Sequence, residues 1–199
     1  MMYERTGPGE AADGLPKFDL EQFNQDGTTV EMIGAEHSPG VETTTGSLGQ
    51  ALSQAGGIAL ARKLRGDSGG VWVFMSDGEF QEGQTWEAIE TISRYNLDNL
   101  KIIVDVNGQQ CDGCIDEIET GDPLTHKIKV FGASAVEVDG HDLDALDLAM
   151  SAQTGRPHFV MARTDPVRGL PLFSERAPLL HYLRFTSEEE RAQYQAVYE

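Results

Sequence analysis

The chain has 199 residues, 39% of them hydrophobic, which is enough for one α/β domain with a sizeable core. Lys and Arg number 15 against 33 Asp and Glu; the resulting charge of −18 repels phosphate backbones and acidic lipid surfaces, so neither nucleic acid nor a membrane is an expected partner. No apolar run approaches the roughly 20 residues of a membrane span, and the first residues lack the basic-then-apolar order of a secretory signal, so a soluble, cytoplasmic protein is expected.

Residues 1–17 are rich in Gly, Pro and charge and are expected to form a flexible arm ahead of a single domain over 18–199. A short helix is predicted from Phe18 to Gln25, then a polar loop that runs into Gly46-Ser47-Leu48-Gly49. Leu48, Leu52, Ala55 and Ala59 recur at helical spacing, Arg62, Lys63 and Arg65 suit the negative end of the helix dipole, and Gly66 is a natural stop. The small residues Ala55, Gly56, Gly57 and Ala59 predict close packing against another backbone.

Val71–Met75 is a continuous apolar run, as expected for a parallel strand buried on both faces, and Ser76-Asp77-Gly78 ends it. Trp86, Ile89, Ile92 and Tyr95 follow at helical spacing, and Leu100–Val104 is the next strand, stopped by Asn107-Gly108. Two more strands, Ala133–Val138 and His158–Arg163, flank a helix over Leu143–Met150. The stretch 165–178 reads as loop, and Thr186-Ser187-Glu188-Glu189-Glu190 as a helix start with a hydroxyl cap and an acidic first turn. Such alternation predicts an α/β fold, a doubly wound, mostly parallel sheet with helices on both faces, whose ligands sit beyond the carboxyl ends of the strands. Cys111 and Cys114 form a lone C-x-x-C, which lacks the further ligands of a zinc site and is read as two free thiols.

Asp77 follows one strand and Asn107 follows the next, so in a parallel sheet both project from the same edge. Their side-chain oxygens, with a main-chain carbonyl just beyond Asn107, are three hard ligands suited to Mg²⁺, which keeps its other places for phosphate oxygens and water. Gly78 lets the backbone approach phosphates closely, and the helix after it is expected to aim its amide end at them.

The run Val41-Glu42-Thr43-Thr44-Thr45-Gly46-Ser47-Leu48-Gly49-Gln50, the run Ser76-Asp77-Gly78-Glu79-Phe80-Gln81-Glu82-Gly83 and the run Val106-Asn107-Gly108-Gln109-Gln110 together resemble the thiamine-diphosphate-binding half of transketolases, from about Phe18 to Glu190. The resemblance implies thiamine diphosphate and Mg²⁺ as cofactors. Asp77, Asn107 and the Gln109 carbonyl would hold the metal. Gly46, Ser47, Leu48, Gly49, Gly78 and Glu79 would line the cofactor, Leu48 against its pyrimidine. Glu82 would join a charge network across a subunit interface. His181 would face the diphosphate and the substrate, whereas His141 is better read as a turn or cap residue.

Three departures shape the functional expectation. Ser76 stands where the family has Gly. The family's early Ser-Gly-His-Pro and Lys-Gly-His motifs are absent, and His37 stands out of register with its Gly-His-Pro-Glu histidine. The family's second half is also missing, including the glutamate that activates the cofactor. The chain is therefore expected to be the shorter subunit of a split transketolase-like enzyme, paired with a C-terminal, pyrimidine-binding subunit in a heterotetramer or larger complex. The expected reaction moves a two-carbon ketol or acyl unit from a ketose or 2-oxo acid, a small-molecule substrate, to an acceptor. The alternatives are a 2-oxo acid dehydrogenase-type component and a degenerate, non-catalytic stabilising subunit.

Overall fold

Four apolar runs pair side by side and in parallel in the computed structural model, which describes residues 2–5, 26–27, 43–110, 113–115, 123–177, 179–181 and 184–198. An edge strand, β1 (Met2–Arg5), is followed by helix α1 (Ala51–Arg65), β2 (Gly70–Ser76), a 3-10 turn (Asp77–Gln81) and α2 (Gly83–Arg94). Next come β3 (Leu100–Val106), a short hairpin of β4 (Gln109–Gln110) and β5 (Gly113–Cys114), α3 (Leu124–Val130), β6 (Ser134–Asp139), α4 (Leu143–Ser151) and β7 (His158–Arg163). A second 3-10 turn (Pro171–Glu175) and α5 (Glu188–Tyr198) complete the described elements. The sheet order is β1-β2-β3-β7-β6, with β1 antiparallel to β2 and the other pairs parallel.

Alternation along the strands divides the sheet into two faces. Leu100, Ile102 and Val104 point to the face that carries Phe159, and all four are fully buried. Phe80 and Trp86 cover this face through edge-to-face ring contacts, and Leu52, Ala55, Ile89 and Ile92 of the mutually packed α1 and α2 complete the core. Helix α1 can approach α2 because position 56 is glycine: a Cβ there would lie 2.8 Å from the Ile92 Cγ2. Gly66 ends α1 in the left-handed conformation (φ 72°) that glycine adopts without strain.

The opposite face carries Lys101, His158 and Ser134 in register. Helix α4 is tied to it by polar groups: the Lys101 ammonium donates to the carbonyls of Met150 and Ala152, and His158 bridges the Ser134 hydroxyl and the Ala149 carbonyl. Burial lowers the pKa of His158 and of Lys101, against the Ala149 hydrogen bond in the histidine's case.

The four predicted parallel strands are present, as are the helices beginning near Leu48, Trp86, Leu143 and Ser187. The structure departs from expectation in three places. Met2–Arg5, within the segment expected as a flexible arm, pairs along β2 and occupies a sheet edge whose backbone groups would otherwise lack partners. Pro171–Glu175, expected as loop, closes a 3-10 turn with Pro in its first turn. Helix α3 has no signature in the sequence, because its seven residues are too few to display a period. The predicted helix Phe18–Gln25, His37 and Cys111 lie outside the described residues. Among the described residues no helix is long and apolar enough to cross a membrane.

Candidate functional site

The carboxyl edges of β2 and β3 bring Asp77 and the Asn107-Gly108-Gln109 turn together. Asp77 is 4% exposed, and its Oδ2 accepts the Gly108 N–H at 2.8 Å. Its Oδ1 is buried and accepts no hydrogen bond among the described residues. Burial raises the Asp77 pKa, against the lowering effect of the Gly108 and Gly78 N–H groups, and the nearby Asp105 charge raises it further. A buried carboxylate with one oxygen unsatisfied is costly unless a cation or proton meets it.

Asn107 sits just past β3, half-buried. Its Nδ2 donates to Asp105 Oδ2 and its Oδ1 accepts the Gln109 N–H, both at 2.8 Å. Thr164, beyond the end of β7, donates its hydroxyl to the other Asp105 oxygen at 2.5 Å. Glycine at position 78 leaves a recess in which a Cβ would lie 3.8 Å from Gln110 Cβ and 4.0 Å from the Gln109 carbonyl oxygen. Asp77, Gly78, Asn107 and the Gln109 carbonyl thus surround one corner. Its donors are oxygens with one unsatisfied anionic member, a set that fits Mg²⁺ with diphosphate. Among the described residues no three His, Cys, Asp or Glu side chains cluster as a separate metal site.

The Gly-rich loop ahead of α1 is fastened to this corner by Glu79. Glu79 is 8% exposed, and its Oε2 accepts the Gly49 N–H at 2.9 Å while Oε1 accepts the Ser76 N–H at 3.4 Å. Its carbonyl accepts the Thr85 hydroxyl at 2.6 Å. Both carboxylate oxygens therefore serve backbone amides, and Glu79 stands as a strut between the loop and the turn. Gly49 is buried with φ 77°, and a Cβ there would come within 2.9 Å of Glu82 Cβ. Gly46 and Ser47 are exposed, and Leu48 is 55% exposed, unusual for a leucine beside an apolar core.

Asp77 opens a 3-10 turn, and the helix expected to follow, α2, begins at Gly83, after its N-cap Glu82. Glu82 is exposed, and its Cβ lies against Gly49, the neighbour of Leu48 in the loop. His181 is exposed after the second 3-10 turn and does not line the cleft of about 720 Å³ that opens beside Asp77, Phe80, Trp86 and Gly108. His141 occupies a turn, where its Nε2 accepts the Asp165 N–H at 2.8 Å. Cys114 is an exposed free thiol. Sequence reasoning misses Asp105 and Thr164; the one available signal is an Asp near the end of the strand Leu100–Val106, whose other polar residue is Lys101.

Residues 14–177 match the family described as transketolase, thiamine diphosphate binding domain. The chain is 38% identical to a transketolase family protein of Sinorhizobium fredii, over 88% of this chain and 64% of that protein. It is 38% identical to one of the subunits of the apulose-4-phosphate transketolase of Actinobacillus succinogenes (85% and 60% covered) and 34% identical to a 6-deoxy-6-sulfo-D-fructose transketolase subunit of a Clostridium species (87% and 64%). The chain thus spans 60–64% of the length of these curated relatives. Among solved structures, a Pichia stipitis transketolase variant superposes with a TM-score of 0.65 at 30% identity, covering 73% of this chain and 24% of that one. Campylobacter jejuni transketolase gives 0.70 at 22% identity, over 90% and 33%, a likeness of fold.

Proposed function

Because the chain belongs to the transketolase family and carries its thiamine diphosphate binding domain, we propose that it is the diphosphate-binding subunit of a split transketolase-like enzyme that holds Mg²⁺ at Asp77, Asn107 and Gln109. The observation that carries this reading is the buried, unsatisfied Oδ1 of Asp77 beside the Gly78 recess. A chain with a purely supporting role has no physical need of such an atom.

Bound thiamine diphosphate supplies an electron sink that allows a bond beside a carbonyl to break. The residues here bind and orient. Asp77 offsets metal charge, Asn107 and the Gln109 carbonyl fix the metal's position, and Gly78 leaves room for phosphate oxygens. The exposed Leu48 supplies an apolar surface for the pyrimidine, and exposed Glu82 is available to a charge network with a second chain. His181 is assigned to the substrate side of the cofactor, reached in the assembled enzyme. The partner is a pyrimidine-binding chain, joined in a heterotetramer or larger assembly, and the reaction transfers a two-carbon ketol or acyl unit in the cytoplasm. Relatives named as subunits of an apulose-4-phosphate transketolase and of a 6-deoxy-6-sulfo-D-fructose transketolase support the split-subunit reading.

Mixing the chain with its pyrimidine-binding partner, Mg²⁺ and thiamine diphosphate, and assaying ketose phosphates against 2-oxo acids, tests the proposal. Transfer from a ketose is the expected outcome. Turnover of 2-oxo acids alone would replace it with a dehydrogenase-type component, and no turnover with either would point to a stabilising subunit.

A further inference from the structure

We infer that Asp105 is the positioning residue that locks the Asn107 amide, so that oxygen rather than nitrogen faces the metal corner; the inference rests on the magnesium reading above. Asparagine presents two unlike ends, and only its oxygen can bind a cation. The two partners of Asn107 decide which end goes where. Asp105 Oδ2 is an acceptor and sits 2.8 Å from one end; the Gln109 N–H is a donor and sits 2.8 Å from the other. Rotating the amide by half a turn would set oxygen against carboxylate and NH₂ against N–H, losing both bonds and adding two repulsive contacts. One orientation therefore survives, and it leaves the second lone pair of Oδ1 available on the side of Gln109.

Asp105 is itself held. Its other oxygen accepts the Thr164 hydroxyl at 2.5 Å, so the lock runs from the end of β7 through β3 to the turn that follows it. Thr164 is in turn pinned by close packing: its N–H donates to the Val106 carbonyl at 3.2 Å, and a Cβ at Gly140 would come within 2.5 Å of its Cγ2. The chain of contacts explains an acidic residue in a strand whose other positions are apolar except Lys101.

Removing the acceptor at position 105, and restoring it, tests the lock. Asp105→Leu, similar in shape but unable to accept from Asn107, should weaken Mn²⁺ binding to the intact chain, followed by electron paramagnetic resonance, by about 10–100-fold, the usual cost of losing a residue that orients a ligand. Asp105→Asn keeps the lock, because its amide oxygen still accepts from Asn107 while its NH₂ donates to the Thr164 hydroxyl, which can accept. This variant should bind within a few-fold of the parent. Unchanged Mn²⁺ affinity in Asp105→Leu, or an Asp105→Asn variant as weak as Asp105→Leu, overturns the lock while leaving the magnesium reading intact. Parent binding that is absent or insensitive to Asp77→Ala overturns both. If Asp105→Leu does not fold, as judged by circular dichroism, Thr164→Val removes one support of Asp105 and should still weaken Mn²⁺ several-fold; no weakening overturns the lock.

Discussion

Glu79 and Gly49, thirty positions apart, are joined by a buried 2.9 Å hydrogen bond from the glycine N–H to a carboxylate oxygen. The second oxygen accepts the Ser76 N–H. This one side chain therefore sets the distance between the Gly-rich loop and the turn that bears Asp77. Glu79→Gln keeps the shape but can accept through only one oxygen and turns an NH₂ toward a backbone N–H. It should lower stability by about 1–3 kcal/mol and weaken cofactor binding, readable by urea denaturation and calorimetry. Loss of neither would show that the loop is held by other contacts.

Gly49→Ala attacks the same joint from the loop side. The φ of 77° strains any L side chain, and the new Cβ would meet Glu82 Cβ at 2.9 Å and the Thr85 hydroxyl at 3.3 Å. A destabilisation of about 1–3 kcal/mol is expected from strain and overpacking. Thermal unfolding would register it as a drop of several degrees, and an unchanged midpoint would contradict the packing described.

Asp77 links stability to the proposed metal. Burial first, and Asp105 as a lesser cause, hold its folded pKa above the usual 3.8, against the hydrogen bonds of Gly108 and Gly78. The folded chain thus retains a proton that the unfolded chain has released, so stability falls as pH climbs from 3.8 through the raised value. Asp77→Asn removes the buried charge. Without ligands at neutral pH, its melting temperature should rise by about 2–4 °C, the shift that ~1 kcal/mol gives a chain of this size. It should also lose any stabilisation by Mg²⁺ with thiamine diphosphate. A variant that is less stable without ligands and still stabilised by them would refute the assignment.

Much of this arrangement is legible in the sequence because it lies on strong periodic elements. Val71–Met75 and Leu100–Val104 read as buried strands, and the turns that stop them place Asp77 and Asn107 at one edge. The lock at Asp105 is not legible, since the partner Thr164 is 59 positions away and only strand order brings it close. In the sequence Glu79 reads as a cofactor contact because its neighbours do; its actual partners include a distant loop. His181 and Leu48 can be placed by resemblance alone, because exposed residues leave no pattern in periodicity or burial.

On the opposite face, His158 provides an acid-side test of the fold. Burial is the largest cause of its lowered pKa, the Ala149 hydrogen bond opposes it and Lys101 adds to it. The unfolded chain binds a proton near 6.5 that the folded chain resists, so the stability contributed by neutral His158 is full above 6.5 and is lost as pH falls toward the lowered value. His158→Gln should show a flatter decline of stability between about pH 7.5 and about 5.5. Equal slopes in the parent and the variant would remove His158 as the source.

Calorimetric titration of thiamine diphosphate with Mg²⁺ into the chain, alone and together with its pyrimidine-binding partner, tests the central claim most directly. The account predicts weak binding alone, tight binding in the mixture, and loss of both when Mg²⁺ is withheld or Asp77 is replaced by Ala. Absence of binding in the mixture, or binding indifferent to Mg²⁺ and Asp77, would contradict it.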